Sequence, residues 1–580
     1  MSIFVSVSLL LIQSLAVAFK SGKEMTNVVS EISYELEKGE TLGIVGESGS
    51  GKSVSSMAVM GLNRFSGGKI TAGKIIFDSP ILGKVDLVDL PEKDFRKIRG
   101  KEISMIFQEP MTALNPVLRC GDQVKEVLEI HTKLSAEVIE KKVLELFSLV
   151  KLPRPEQMMK AYPHEISGGQ KQRVVIAMAM ACDPLLIIAD EPTTALDVTV
   201  QASILELLKE LQRTKGTSII FISHDLGVIG EVSDKVLVMY RGEVVEQQNV
   251  VDLFREPQDP YTKGLLACRP TLDITSTRLL TIEDVIEGKV LVEAEPKKID
   301  ENREVQLVVD ELCTWFPINK KLFSQKIEYV KAVDEVSFEV RKGETLGLVG
   351  ESGCGKTTLG RTVMRLEKSI SGKIIFEGRD ITHLKGSQLK ALRKDIQIIF
   401  QDPYASLNPR MTIEQTLIEP MKVNNVLTNY IERKEKAVYL LEKVGLEKEH
   451  LQRYPHEFSG GQRQRINIAR TLTLSPKLII CDESVSALDV SVQAQVLNLL
   501  NDLKEEFDFT YIFISHDLSV VKFISDRIIV MNKGRIEEEG EALEIYQNPQ
   551  SAYTKSLIDA IPTGDLNRII AMQEKKKLKV

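Results

Sequence analysis

Short apolar runs and amphipathic stretches alternate along this chain. Thr41–Val45, Leu185–Ala189 and Ser218–Ile222 are almost wholly apolar, as strands buried on both faces of a parallel sheet are. Between such runs lie stretches of helical period, clearest over Val200–Lys215, where apolar residues recur three and four positions apart. A longer helical middle, Gly121–Val150, separates Gln108 from Ser167 and reads as an α-helical subdomain of its own. This alternation predicts an α/β fold with a mostly parallel, helix-covered sheet. Met1–Phe19 carries no charged side chain and is long enough for a crude membrane-span test. It has no basic start, though, and Val5-Ser6-Val7-Ser8 alternates like a strand. Ser8–Phe19 also lines up with Val305–Phe316, a segment holding Asp310 and Glu311. It is therefore expected to be an opening β-strand rather than a signal or an anchor.

That alignment is part of a repeat running through the whole chain. Gly46-Glu47-Ser48-Gly49-Ser50-Gly51-Lys52-Ser53 returns as Gly350-Glu351-Ser352-Gly353-Cys354-Gly355-Lys356-Thr357. Phe107-Gln108-Glu109-Pro110 returns as Phe400-Gln401-Asp402-Pro403, and Ile222-Ser223-His224-Asp225 as Ile514-Ser515-His516-Asp517. The steps from Ser167 to Ser459, Asp190 to Asp482 and His224 to His516 are all 292 residues, whereas Lys52 to Lys356 is 304. The first half thus carries a surplus before Gln108, around Phe77–Pro91, where a surface loop tolerates it. Two copies of one domain are expected, over 1–270 and 305–580, joined by a polar linker over 271–304 that contains Glu293–Lys298.

Composition narrows the class. Of 580 residues 43% are hydrophobic and 27% charged, with a net charge of −7 and no basic stripe, which argues against a nucleic-acid binder. Six cysteines, none in a Cys-x-x-Cys pair, give neither a zinc knuckle nor a disulfide framework. Lys575-Lys576-Lys577 reads as a solvated terminus.

The chemistry sits in the repeated motifs. Gly-x-x-x-x-Gly-Lys-Ser/Thr after a strand is a P-loop, whose glycines let backbone N–H groups curl round phosphate oxygens at a helix N-terminus. Lys52 and Lys356 are expected to reach the β- and γ-phosphates of ATP, and Ser53 and Thr357 to ligate Mg²⁺. One Gly-rich loop can be an ordinary turn; two complete, strand-preceded copies are not. Leu186–Glu191 and Leu478–Glu483 are apolar runs ending in two acids. Asp190 and Asp482 would support the Mg²⁺ shell, while Glu191 and Glu483 would orient and deprotonate the attacking water. Ser167-Gly168-Gly169-Gln170 and Ser459-Gly460-Gly461-Gln462 each open a helix and offer a further N-terminal phosphate site. One domain has no use for two such sites round one nucleotide.

With these motifs in both halves, the chain resembles the ATP-binding cassette (ABC) ATPases. The resemblance implies two tandem P-loop NTPase cassettes, each a RecA-like α/β core with an antiparallel β subdomain and an α-helical subdomain. It implies that each signature loop serves the nucleotide of the other half, Ser167, Gly168 and Gly169 with Lys356, and Ser459, Gly460 and Gly461 with Lys52. Gln108 and Gln401 match the glutamine that touches Mg²⁺ and relays to the membrane partner, and His224 and His516 the histidines that contact the γ-phosphate. Ala195-Leu196-Asp197 and Ala487-Leu488-Asp489 resemble the loop coupling the two sites. Phe19 and Phe316 hold the place of the aromatic that stacks on adenine, with Trp315 competing for the second position. His164 and His456 read as structural. Cys354, at a helix N-terminus, is expected to have a lowered pKa, so that alkylation would block the Lys356 site and ATP would protect it. Ser484 stands where the family usually has proline, as at Pro192.

Two tasks fit. Phe107–Pro116, Phe400–Thr412, Tyr162-Pro163-His164-Glu165 and Asp259-Pro260-Tyr261-Thr262-Lys263 are similar to the oligopeptide, dipeptide and nickel importer ATPases. That likeness implies an importer of peptides or similar small solutes, with two membrane permease subunits and a solute-binding protein as partners and a place at the cytoplasmic face of the bacterial inner membrane. The alternative is a soluble twin cassette acting in translation or DNA repair. Translation-factor cassettes carry a long basic linker and repair ATPases embed cysteine pairs, neither of which is present in this sequence. Many peptide-importer ATPases carry a cysteine cluster after the cassette, whereas here Cys268 has no cysteine near it, so no iron–sulfur centre is expected.

Overall fold

The computed structural model describes residues 8–21, 24–193, 196–271, 276–291, 302–318, 328–486 and 488–577. Two compact units result. The first comprises 1–196, 200–266 and 562–580, and the second comprises 197–199 and 267–561.

In the first unit the opening segment is a strand, β1 (Ser8–Ser21), paired antiparallel with β2 (Glu24–Glu37) and β4 (Gly68–Ser79), which carries β5 (Gly83–Asp86) at the edge. Leu10, Ile12, Leu15 and Val17 of β1 are fully buried, so the apolar run over Ser8–Phe19 is explained by burial, while residues 1–7 lie outside the described residues. A second sheet runs β10 (Glu243–Asn249), β9 (Lys235–Tyr240), β3 (Thr41–Val45), β8 (Ser218–Ser223), β7 (Leu186–Asp190), β6 (Ile103–Ile106). All its neighbours are parallel except the β9–β10 hairpin. Every residue of β3, β7 and β8 is buried, which is why these strands read as continuous apolar runs rather than alternating ones. Leu42, Ile44, Ile188 and Ile220 pack with Leu10, Ile12 and Phe77, joining the two sheets in one core.

The second unit repeats the plan. An antiparallel sheet is formed by β11 (Val305–Ile318), β12 (Glu328–Arg341), β14 (Ser371–Phe376) and β15 (Arg379–Asp380). The parallel sheet runs β16 (Ile396–Ile399), β17 (Leu478–Asp482), β18 (Thr510–Ile514), β13 (Thr345–Val349), β19 (Arg527–Asn532), β20 (Arg535–Glu541). The surplus of the first half is no loose loop. Part of it precedes β4 and part lengthens the β4–β5 hairpin, which is anchored by Glu102, accepting from Ser79 Oγ at 2.6 Å and Ile81 N at 3.1 Å.

The helical middle is two helices, Cys120–His131 and Ala136–Leu149, broken over 132–135. Part of the polar stretch 271–304 is structured too. Thr281 caps the short helix Ile282–Ile286, and Leu279, 1% exposed, donates to and accepts from the Asn498 side chain at 2.9 and 2.8 Å. The C-terminus departs from expectation: Leu566–Lys577 is a helix of the first unit, and Lys576 pairs with Asp234. No helix among the described residues is long and apolar enough to cross a membrane.

Candidate nucleotide sites

Each P-loop leaves a buried strand and enters a helix, β3 into Lys52–Val59 and β13 into Lys356–Val363. The last loop glycine must be glycine: Gly51 has φ 94° and Gly355 φ 109°, and a Cβ on Gly355 would lie 1.9 Å from Ala332 O. Lys52 and Lys356 are 5% and 4% exposed. Their ammonium groups turn into the loop, onto Gly46 O and Glu47 O at 2.7 and 2.8 Å, and onto Gly350 O and Glu351 O at 2.6 and 3.0 Å. A cation is thus fixed inside a curl of backbone amides, the arrangement that binds a polyphosphate.

Ser53 Oγ donates to Asp190 Oδ1 and Thr357 Oγ1 to Asp482 Oδ1, both at 2.9 Å. Burial pushes Asp190 up to about 6, opposed by the Ser53 hydrogen bond, and raises Asp482 likewise. A desolvated carboxylate beside a hydroxyl is a hard-oxygen pair that a small divalent cation relieves, so these residues fit Mg²⁺.

Glu191 and Glu483 follow the strand ends in the left-handed region, with φ 47° and 48°, a cost that side-chain residues bear where geometry matters. Their backbone N–H groups are tied to Ile222 O and Ile514 O at 3.0 and 2.9 Å. Gln108 Nε2 donates to Glu191 Oε2 at 2.9 Å and Gln401 Nε2 to Glu483 Oε2 at 2.7 Å. His224 Nδ1 and His516 Nδ1 lie 3.4 and 3.6 Å from the same oxygens. Burial alone would lower His516, but the Glu483 carboxylate outweighs it and the pKa is raised. Glu483 in turn is lowered, its desolvation overcome by His516, Lys356 and Gln401. In each unit the structure therefore gathers the predicted residues as neighbouring groups: the lysine on its loop carbonyls, the hydroxyl on the aspartate, and the glutamine and histidine on the glutamate.

The signature loops divide their labour. Ser167 and Ser459 cap helices Gly168–Met180 and Gly460–Leu472, exchanging bonds with Gln170 and Gln462. These glutamines therefore act as capping residues. Nothing lies within 4 Å of a Cβ built on Gly168, whereas one on Gly169 would meet Val200 at 2.8 Å and one on Gly461 Val492 at 2.2 Å. The first glycine leaves an open face and the second lets elements pack. Asp197, grouped with the second unit, accepts from Ser352 N. Leu196, Leu488 and Asp489 are described; Ala195 and Ala487 lie outside the described residues.

The aromatic positions differ. Phe316 is 39% exposed, while Trp315 lies beside Tyr329 and under the Lys331 ammonium, 4.5 Å from its ring centre. Phe19 is partly covered, its ring lying where Gly68 lacks a side chain. Cys354 corrects an expectation: it is 6% exposed, and burial raises its thiol pKa despite Lys356 and the helix, so it is no activated thiol.

Sequence reasoning missed one pair. Tyr261 OH accepts from Glu47 N at 3.1 Å and Tyr553 OH from Glu351 N at 3.2 Å, so a tyrosine braces each P-loop from the end of its cassette. Burial pushes Tyr553 up to about 12, which keeps the hydroxyl protonated. The signal was the Tyr-Thr-Lys triplet at 261 and 553, again 292 residues apart.

Two strand-borne P-loops, two buried acidic pairs and two signature helices define a twin ATP-binding cassette. The "ABC transporter" family pattern matches residues 29–194 and 333–486, and the "oligopeptide/dipeptide transporter, C-terminal region" pattern matches 245–289 and 538–577. The chain belongs to the ABC transporter family and is an ATP-binding, transport-coupled ATPase. Among curated relatives, the glutathione import ATP-binding protein GsiA of Pectobacterium atrosepticum (strain SCRI 1043) is 46% identical over 561 residues, covering 96% of this chain and 90% of that protein. GsiA of Escherichia coli (strain K12) is 46% identical over 574 residues, covering 97% and 90%. Among solved structures, the post-hydrolysis dimer of the cassette MJ0796 with ADP and Pi is 27% identical over 41% of this chain and 98% of that one, with a TM-score of 0.37. The translation or repair alternative finds no support among these relatives.

Proposed function

We propose that this chain is the ATP-hydrolysing subunit of an importer for small peptides of glutathione size, working on two permease subunits and a solute-binding protein at the cytoplasmic face of the bacterial inner membrane. The observation that carries the ATPase part is that both sets of neighbouring groups are complete. The solute class is supported by the identity to GsiA over nearly the whole length and by the match to the peptide-transporter C-terminal pattern.

In this reading Lys52 and Lys356 leave their carbonyl partners to hold the β- and γ-phosphates, and the P-loop amides hold the remaining oxygens. Ser53, Asp190 and Gln108, or Thr357, Asp482 and Gln401, would hold Mg²⁺, which would supply charge neutralisation. Glu191 and Glu483 accept a proton from the attacking water, with the carboxylate oriented through its Oε2, which both the glutamine and the histidine meet. Asp190 and Asp482 are the more shielded acids, Glu191 and Glu483 the ones bonded toward the open site. Phe316 and Phe19 stack on adenine. Each signature serine serves the nucleotide of the other P-loop, a reading that rests on family membership.

Uptake of labelled glutathione and of a labelled dipeptide, measured in cells carrying this chain with its neighbouring permease and binding-protein genes, tests the assignment. Uptake of either that disappears on Glu191→Gln with Glu483→Gln is expected. Transport of neither, with ATPase activity intact, would refute the solute class.

A further inference from the structure

The final helix, Leu566–Lys577, packs in the first unit on helices Leu226–Val232 and Val250–Arg255. Ile569 is 1% exposed, and its Cδ1 lies 2.8 Å from where a Cβ on Gly230 would be, so the glycine is the notch that admits it. Arg568 pairs with Glu231 at 3.0 Å, and Gln573 Nε2 donates to Ser233 O at 2.9 Å. Lys576 Nζ donates to both Asp234 oxygens, at 2.6 and 2.7 Å.

The repeat shows what the second unit has at the same places. Gly230 and Glu231 correspond to Lys522 and Phe523, so there is neither notch nor acid for such a helix. Asp234 corresponds to Asp526, and the two aspartates do one job. Asp234 accepts from Thr41 N at 2.9 Å and Asp526 from Thr345 N at 2.8 Å. Thr41 and Thr345 begin β3 and β13, the strands that run straight into the two P-loops. In the second unit the countercharge for this aspartate is Lys504, on the helix Val490–Phe507 of the same cassette, at 2.7 Å. Its counterpart in the first unit is Gln212, which reaches Asp234 at 3.2 Å and brings no charge.

We propose that Lys576 is a positioning residue for the first nucleotide site, supplying from the end of the chain the countercharge that Lys504 supplies within the second cassette. The ammonium holds the Asp234 carboxylate, the carboxylate holds the Thr41 amide, and that amide fixes the entry of the strand whose far end is the Gly46–Ser53 loop. The first P-loop is therefore braced by residues that follow the whole second cassette in sequence, and the second P-loop is not.

Photolabelling of the full chain with azido-ATP, mapped to the peptides around Lys52 and Lys356, separates the two sites. Lys576→Gln leaves Ile569 and Arg568 to anchor the helix; labelling at the first loop should fall roughly 1.5- to fivefold, the range for losing a partly exposed charge pair, while the second is unchanged. Gln212→Lys, which copies the second unit's arrangement, should restore it in the same chain. Equal labelling of both loops in Lys576→Gln would overturn the proposal. So would a loss that Gln212→Lys does not restore, because that would make the helix a packing element only.

Discussion

The two halves agree most where chemistry is done and differ where chemistry is supported. Hydroxyl to aspartate is 2.9 Å in both, glutamine to glutamate 2.9 and 2.7 Å, histidine to glutamate 3.4 and 3.6 Å, and both glutamates are held at the same left-handed φ. Behind these sets the scaffold diverges. The strand-entry aspartate is balanced by Lys576 in one unit and Lys504 in the other, and the residue after the glutamate is Pro192 in one and Ser484 in the other. A hydrogen-bonded catalytic set tolerates errors of a few tenths of an ångström, whereas a countercharge can be delivered from any element that reaches the spot. Equal active geometry on unequal supports argues that both sites turn over.

The largest effect tests that equality directly. Glu191→Gln or Glu483→Gln removes one base, a change of about 10²–10⁴-fold at the affected site. If both sites turn over, each single variant loses at least half of steady-state ATPase activity, and the double variant binds ATP without hydrolysing it. A Glu483→Gln chain with the full wild-type rate would show that the second site is a spare.

A smaller effect sharpens the difference in support. Lys504→Gln gives the second unit the first unit's residue without a helix to compensate. Lys504 and Asp526 side chains are only 13% and 14% exposed, so losing the lysine should cost about 1–3 kcal/mol. A lower urea midpoint and faster hydrogen exchange around Thr345–Val349 are expected, with no change around Thr41–Val45. Equal change in both strands would remove the comparison's basis.

Much of this was legible beforehand because function is written as contiguous motifs. The P-loops, acidic pairs, signature serines and histidines each announce themselves by residue type and spacing, and the repeat supplied a second reading of every one. The opening strand was legible by the same route, since Val305–Phe316 carried charges that Ser8–Phe19 lacks. What stayed hidden depends on long-range packing. Nothing local marks Lys576 as the partner of Asp234, 342 residues away, and a lysine-rich end reads as solvated until the fold brings an acid to it. Cys354 failed for a related reason: motif position suggested a helix N-terminus lowering its pKa, but burial, which sequence does not state, dominates. The P-loop tyrosines were visible as a repeated triplet yet carried no local chemistry.

The smallest predicted effect concerns a glutamine that the two units use differently. Gln172 is 1% exposed and its Nε2 donates to Pro192 O at 2.7 Å, tying the signature helix to the loop after the catalytic glutamate. Gln464, its counterpart, is fully buried, and neither its amide nitrogen nor its oxygen has a hydrogen-bond partner among the described residues. Gln172 Oε1 is buried without a hydrogen-bond partner among the described residues. An apolar group of similar shape there strands the Pro192 carbonyl, at about 1–3 kcal/mol, and recovers only the desolvation of that oxygen, whereas at Gln464, where neither end is bonded, it only removes a desolvation cost. Gln172→Met should therefore lower the stability of the first unit and speed hydrogen exchange in Gly168–Met180. Gln464→Met should leave Gly460–Leu472 unchanged or better protected. Losses of equal size at the two positions would mean that Gln464 serves its loop as Gln172 does, and that the serine at 484 leaves the second loop held as firmly as the proline holds the first.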